Sequence, residues 1–449
     1  MTTKFNRWRN AGVIVTMSAL TLTMAACSGS DAEPDASGGG TAVASGDGTS
    51  GEVTFAYLGD ASQQDAFEAM FSVFNEQYPD IKLNAQGIPS GDWATFSNTV
   101  ATRLAGGEKI DIIQIATEGQ RLFASKGLLE PLEPYFERDQ EFVDDYFDDI
   151  SPRLAQFNET YASDPDGNVV FVPGGFNTVG MYLNKQVFDE SGVEIPADGN
   201  WTWDEFVEAG ETIKAKTGAY LVSSDAPSGY FTGVMPWLTT NGASTFDDTW
   251  TTPTFDSPAA VEAAEFARSL VEMGLSPEPG GQFDMYTQFA QGNLAVIQGG
   301  RWPTINLREV DMVDSTVFVQ TPTNVSNGSP VGWDAWNITK ESENKEAAWT
   351  FIKFLMSTEA GEYFATVGGT IVPARESVAA SAAFTDNAPE FSTRLSEAMD
   401  FATAIPSPDR GAEVQKVIEE AWLTILTGNG DAQETLSKAQ QELTALVND

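Results

Sequence analysis

Side chains suited to binding a polyhydroxylated ligand recur at the ends of strand-like runs. Trp302 follows the run Leu294–Gln298 and the pair Gly299-Gly300. Trp333, Asp334 and Trp336 follow Gly332, and Trp237 closes the run Tyr230-Phe231-Thr232-Gly233-Val234-Met235-Pro236. Asp60 and Glu118 come directly after the first and third strand-like runs, and Asn177 ends the segment Pro173-Gly174-Gly175-Phe176-Asn177. Flat aromatic faces stack on the C–H faces of sugar rings, while carboxylates and amides hydrogen-bond hydroxyls. A tryptophan next to a turn also fits a packed core, and on period-2 grounds Asp334 and Trp336 share one face of a strand while Trp333 takes the other.

Other chemistries are excluded or unsupported. The chain of 449 residues has no histidine, which removes histidine triads and histidine metal sites, and its single cysteine allows no disulfide or cysteine zinc site. There is no P-loop, GxGxxG or GxSxG segment. Ser342-Glu343-Asn344-Lys345 and Lys216-Thr217-Gly218 match two signatures of penicillin-recognising serine enzymes, but in reversed order. Helix caps explain both. Asp164, Asp166 and Asn168 resemble a calcium loop that lacks its downstream glutamate, so Asp166-Gly167 reads as a hairpin turn. The acidic run Glu130–Ile150 reads as a solvated helical surface. No cofactor, metal or catalytic group is expected. With 24 basic and 65 acidic residues the formal net charge is −41, which repels nucleic acid and anionic membrane surfaces.

The positioning elements begin after an N-terminal leader. Lys4, Arg7 and Arg9 precede the apolar stretch Ala11–Met24 and then Met24-Ala25-Ala26-Cys27. Small residues before a lone cysteine resemble a lipoprotein signal, giving a signal peptide over 1–26 and a lipid anchor on Cys27; an ordinary secretory signal is the alternative. Residues 27–51 are rich in Gly, Ser, Ala, Thr and Asp and read as a flexible tether. From Val53, strands and helices alternate. Strands are expected at Val53–Tyr57, Ile81–Ala85, Ile110–Ile115, Val169–Val172, Val179–Leu183 and Leu294–Gln298. Helices are expected at Gln63–Tyr78, Asp92–Leu104, after the Thr202–Glu205 capping box, and from Ser257-Pro258 to Gly274. Gly332–Asn337 runs into a helix over Asn344–Leu355, with Ala347, Ala348, Phe351, Ile352 and Leu355 on one face. Three C-terminal helices are expected, at Pro389–Thr403, Val414–Thr427 and Ala432–Val447. The Pro-Gly-Gly segment at 173–175 is a candidate crossover or hinge. Short turns between alternating elements give an α/β fold with mainly parallel sheets, in which ligands bind at the carboxyl ends of strands.

Several segments in combination resemble one family: FSVFNEQYPDIKL (71–83), DIIQIATEGQRLFASKGLLEPL (111–132), FVPGGFNTVGMYLNKQVF (171–188), TWDEF (202–206), FAQGNLAVIQGGRW (289–302), the stretch Gly332–Leu355, and GGTIVPARESV (368–378). The chain is similar to the extracellular solute-binding proteins that feed bacterial ABC importers, in the carbohydrate-binding group that includes maltose-binding protein. The resemblance implies an α/β two-lobed clamp of the periplasmic-binding-protein type, each lobe a mainly parallel sheet flanked by helices and joined by hinge crossovers. It implies a first lobe from 52–174 and 332–372 and a second from 175–331 and 373–449. Asp60, Glu118, Asn177, Trp237, Trp302, Trp333, Asp334 and Arg375 are then the ligand-binding candidates. Ile115 stands where maltose-binding protein carries an aromatic, which counts against a maltodextrin. The implied partners are a small-molecule carbohydrate, the permease subunits of an ABC transporter and, through Cys27, the outer face of the cytoplasmic membrane. The expected state is an extracellular or periplasmic monomer without enzymatic activity. A cationic solute such as a polyamine, or glycoside hydrolysis by paired carboxylates, are the alternatives.

Overall fold

The computed structural model describes residues 50–59, 61–224, 229–281, 283–367 and 369–448. The expected signal peptide, Cys27 and the tether up to residue 49 lie outside the described residues, and so does Asp60. Among the described residues no helix is long and apolar enough to cross a membrane.

Eleven strands form two sheets among the described residues. They are β1 (Gly51–Leu58), β2 (Ile81–Ile88), β3 (Ile112–Ala116), β4 (Val172–Thr178), β5 (Gly180–Asn184), β6 (Tyr220–Val222), β7 (Leu294–Gly299), β8 (Thr316–Gln320), β9 (Ser329–Ile338), β10 (Val372–Pro373) and β11 (Ala402–Ala404). The first sheet runs β10-β4-β9-β3-β1-β2, with β11 also paired to β9; the second runs β6-β7-β5-β8. Helices cover both sheets, as the two-lobed α/β clamp requires. The expectation of mainly parallel sheets needs correction. Parallel pairing is confined to β1 with β2 and β3, β11 with β9, and β6 with β7, whereas β9 runs antiparallel to β3 and β4, and β5 antiparallel to β7 and β8. The reason is that β9 and β5 enter from the other lobe instead of returning through a βαβ crossover.

Local sequence explains the helices that frame the first sheet. Asp92 caps the helix Trp93–Ala105 by accepting from Thr95 N. Phe71 and Phe74 of the helix Ala61–Gln77 interlock with Phe351 and Phe354 of the helix Lys345–Leu355, with Phe74 and Phe351 centroids 4.8 Å apart. Each such buried ring contributes about 1.5–3 kcal/mol. In the second lobe the expected Thr202/Glu205 capping box is present, and Gly218 ends that helix with φ +79°. There Trp203 stacks on Phe266 at 4.0 Å.

Two expectations about the connections change. Pro173–Asn177 is part of β4, which leads into the crossover: Gly174 sits in a bulge over Trp336, where an added Cβ would come within 2.7 Å of the indole. The change of sheet is made by Val179 alone, between β4 and β5. Its N–H donates to Ser329 Oγ, and its carbonyl accepts from the hydroxyls of Ser329 and Thr321. The helix expected over 389–403 is reduced to the single turn Arg394–Glu397, a 3₁₀ turn at Ala398–Phe401 and β11. Tertiary partners take its backbone groups: Leu395 O accepts from Thr178 Oγ1, Arg394 O from Gln320 Nε2, and Ala402–Ala404 pair with Ser329–Val331.

Candidate binding site

The β3 C-terminus delivers Thr117 and Glu118 into the first turn of the helix Thr117–Ala124. Thr117 Oγ1 accepts from Trp333 N at 2.8 Å and donates to Trp333 O, which locks this turn to β9. Glu118 is half-buried. Burial pushes its carboxyl up to about 7; its own helix-end amide opposes the rise and the charge of Asp92 adds to it. The carboxyl lines a cavity of about 250 Å³, which also meets Asn98, Lys126, Asp409, Arg410 and Glu413. This is at the small end of ligand sites.

The second lobe supplies an aromatic wall. Gly300 is needed at the end of β7 because any Cβ would lie 2.5 Å from the Trp302 ring and 2.6 Å from Asn177 Oδ1. Trp302 therefore folds back at the start of the helix Pro303–Glu309 and stays half-buried. Phe231 faces it at 6.1 Å and 40°, carried on a π-helical turn over Tyr230–Val234. Such turns recur at functional sites. Gly332 closes the arrangement: a Cβ there would be 3.6 Å from Phe231, 3.7 Å from Ile405 and 3.7 Å from Thr117 Oγ1. Gly332 thus has Phe231 on one flank and Thr117, the residue before Glu118, on another.

The remaining candidates sit elsewhere. Asn177 borders the aromatic wall, but its amide is used: Oδ1 accepts from Arg301 N at 2.8 Å, and Nδ2 donates to Thr370 O at 3.0 Å. It shapes the Trp302 turn. Trp237 is 1% exposed and packs among Trp203, Phe206 and Phe266 in the core of the second lobe, because helix packing turns it inward. Trp333 is likewise 1% exposed; it stacks on Phe157, and Nε1 donates to Asn158. Asp334 and Trp336 occupy the opposite face of β9, as the strand period predicts. Asp334 is 3% exposed, with one oxygen held by Gln114 Nε2 and the other without a well-formed hydrogen bond among the described residues. Burial raises it from 3.8 to about 7 against the opposing pull of Gln114 and the Asp334 and Gly175 amides. Arg375 is consumed by Asp145, Asp149 and Met356 O, and lies over the Tyr146 ring.

Phe231, Thr117 and Gly332 are not singled out by the residue pattern. For Phe231 a signal exists, an aromatic pair flanked by Gly229 and Gly233, yet the neighbouring Trp237 outweighs it. The serine-enzyme signatures resolve as structure: Ser342 Oγ donates to Asp111 and Lys345 pairs with Glu130. Asp164 Oδ1 accepts from Asp166 N and Asn168 N, forming the expected turn.

Two lobes of mixed α/β structure joined by a one-residue sheet crossover have the architecture of a clamp-type binding protein. The model of the bacterial extracellular solute-binding protein family matches residues 60–362, and the chain belongs to that family. A binding protein of Brucella abortus is 24% identical over 404 residues, covering 85% of this chain and 89% of its own length. The arabinooligosaccharide-binding protein of Halalkalibacterium halodurans is 25% identical over 318 residues, covering 68% of this chain and 67% of its own. An ABC substrate-binding protein from Listeria monocytogenes, solved in complex with cycloalternan, has a similar fold. Its TM-score is 0.74 at 23% identity, over 88% of this chain and 99% of that one.

Proposed function

We propose that this protein captures a sugar or oligosaccharide between its lobes and hands it to the permease of an ABC importer. The observation that carries this reading is the half-buried Phe231–Trp302 pair, with Gly332 beside Phe231 and near Thr117, the residue before Glu118. Stacking on a ring face and hydrogen bonding to hydroxyls are what a pyranose or furanose offers. Relatives named for arabino-oligosaccharides and a structure holding cycloalternan support the same ligand class. The protein acts as a carrier and not as an enzyme, as a monomer outside the cytoplasmic membrane, anchored by a lipid on Cys27 after removal of residues 1–26.

A thermal-shift and tryptophan-fluorescence screen over arabino-oligosaccharides, cyclic and linear glucans, disaccharides and polyamines tests this. At roughly −0.3 kcal/mol per heavy atom, a disaccharide would bind in the micromolar range. At least one carbohydrate should raise the melting temperature in wild type and not in Trp302→Ala. A response to polyamines alone, abolished by salt, would replace the sugar reading.

A further inference from the structure

Away from the aromatic wall, the two lobes touch through a second set of residues. The helix Pro152–Tyr161 belongs to the first lobe, where Asn158 Nδ2 donates to Phe171 O and its Oδ1 receives the Trp333 indole N–H. Its last residue, Tyr161, stacks on Trp250 with centroids 4.0 Å apart and planes 5° from parallel. Tyr161 also donates its hydroxyl to Asp248 O at 2.9 Å. Arg121, from the first-lobe helix that carries Glu118, places its guanidinium 6.0 Å from the Trp250 ring and 3.5 Å from the Asp409 carboxylate.

Trp250 and Asp409 belong to the second lobe. The loop holding Trp250 hangs between the helices Met235–Thr240 and Pro258–Glu272, and Thr245 in its stem meets the Tyr230 hydroxyl at 2.7 Å. Asp409 precedes the helix Gly411–Leu426, which is tied to that lobe by Glu419 accepting from Tyr230 N and by Trp422 stacked on Phe255.

The loop is built to present the indole. Asp247 Oδ1 accepts from Thr251 N, Thr252 N and Thr249 Oγ1, and Trp250 N donates to Asp247 O. Trp250 is held at φ +58°, a left-handed conformation costly for a bulky residue, yet it is 3% exposed. The Asp247 network fixes this backbone, and the ring it carries meets Tyr161 and Arg121 of the other lobe. A further sign of lobe closure is Gly411, where any Cβ would fall 2.6 Å from Glu118 O.

We propose that Trp250 is the tongue of a latch that holds the clamp shut: it docks between Tyr161 and Arg121, and the Arg121–Asp409 pair supports it. Trp250 is thus a positioning residue. It sets the closed population, and through it ligand retention, without touching the ligand. The inference does not depend on the ligand being a sugar, and its test uses none.

Nitroxides on Gln156→Cys and Glu265→Cys, both exposed positions on opposite lobes, report the lobe separation in the full chain carrying Cys27→Ser. With Trp250 intact, a narrow short-distance population is expected without ligand beside a longer, open one. Trp250→Ala should deplete the short-distance population, changing the closed-to-open ratio by roughly 2- to 10-fold, the worth of an aromatic contact. Trp250→Phe should retain the narrow distance. Arg121→Ala, at a third-exposed side chain, should shift the ratio in the same direction by less, and decides the matter if Trp250→Ala does not fold. Unchanged distances in Trp250→Ala and Arg121→Ala, even with a lowered melting temperature, would mean that Trp250 is only a packing residue and would overturn the latch.

Discussion

Replacing Asp334 with asparagine isolates a buried charge on the strand that joins the lobes. Asp334 lies on the β9 face shared with Gln114 and Trp336, 3% exposed. The groups facing it are Gln114, which donates to one oxygen, and Tyr146, whose phenol is itself pushed up by burial and lies under Arg375 with Asp149 beside it. Among the described residues no cation reaches the second oxygen. Because the folded value of about 7 lies above the ordinary 3.8, the native state holds the proton more tightly than the unfolded chain. The favourable contribution is complete below about pH 4 and is lost as pH rises through 7. A rise of that size corresponds to about 4 kcal/mol, so at pH 8 the ionised carboxylate opposes folding by up to that amount. An asparagine side chain at this position would keep the acceptor for Gln114 and remove the charge. We expect Asp334→Asn to be more stable than wild type at pH 8 by on the order of 2–4 kcal/mol, with the two converging toward pH 4. Urea unfolding at pH 4.5, 6 and 8, followed by tryptophan fluorescence, measures the difference between the curves, from which the other carboxylates cancel. A difference that is flat with pH, or a variant less stable at pH 8, would refute the assignment of a strained buried carboxylate.

Other substitutions separate binding from stability. Trp302→Ala should leave the melting temperature nearly unchanged and weaken carbohydrate binding by about 2 kcal/mol, roughly 30-fold in Kd by titration. Trp237→Ala should do the reverse: loss of a buried indole costs about 3–5 kcal/mol of stability in chemical unfolding, while the folded fraction binds with unchanged Kd. Cys27→Ser should abolish metabolic labelling with palmitate and move the protein from the membrane fraction to the medium or periplasm; retained labelling would place the anchor elsewhere.

Much of the fold is legible in the sequence because its signals are local. The Thr202–Glu205 capping box, the helix start near Asp92, Gly218 as a stop and the apolar stripe of Lys345–Leu355 all reappear, since each depends on neighbours within one helical turn. Strand alternation even places Asp334 and Trp336 opposite Trp333. The expected helix over 389–403 fails for the opposite reason: its backbone groups bond to Thr178, Gln320 and β9, partners distant in the chain.

Site chemistry divides along the same line. Sequence alone determined that no histidine or disulfide chemistry is available, that the chain is strongly acidic, and that Trp302 must follow a glycine-permitted turn at the end of a strand. Tertiary structure alone decided which aromatics stay partly exposed. Trp237, Trp333 and Phe231 carry similar local signals, but packing buries the first two and leaves Phe231 against Trp302. The same holds for charge. Asp334 and Glu118 are ordinary carboxylates in the sequence, and both rise to about 7 chiefly because folding removes them from water. Burial is a sum over every neighbour in space, and a linear pattern does not contain that sum.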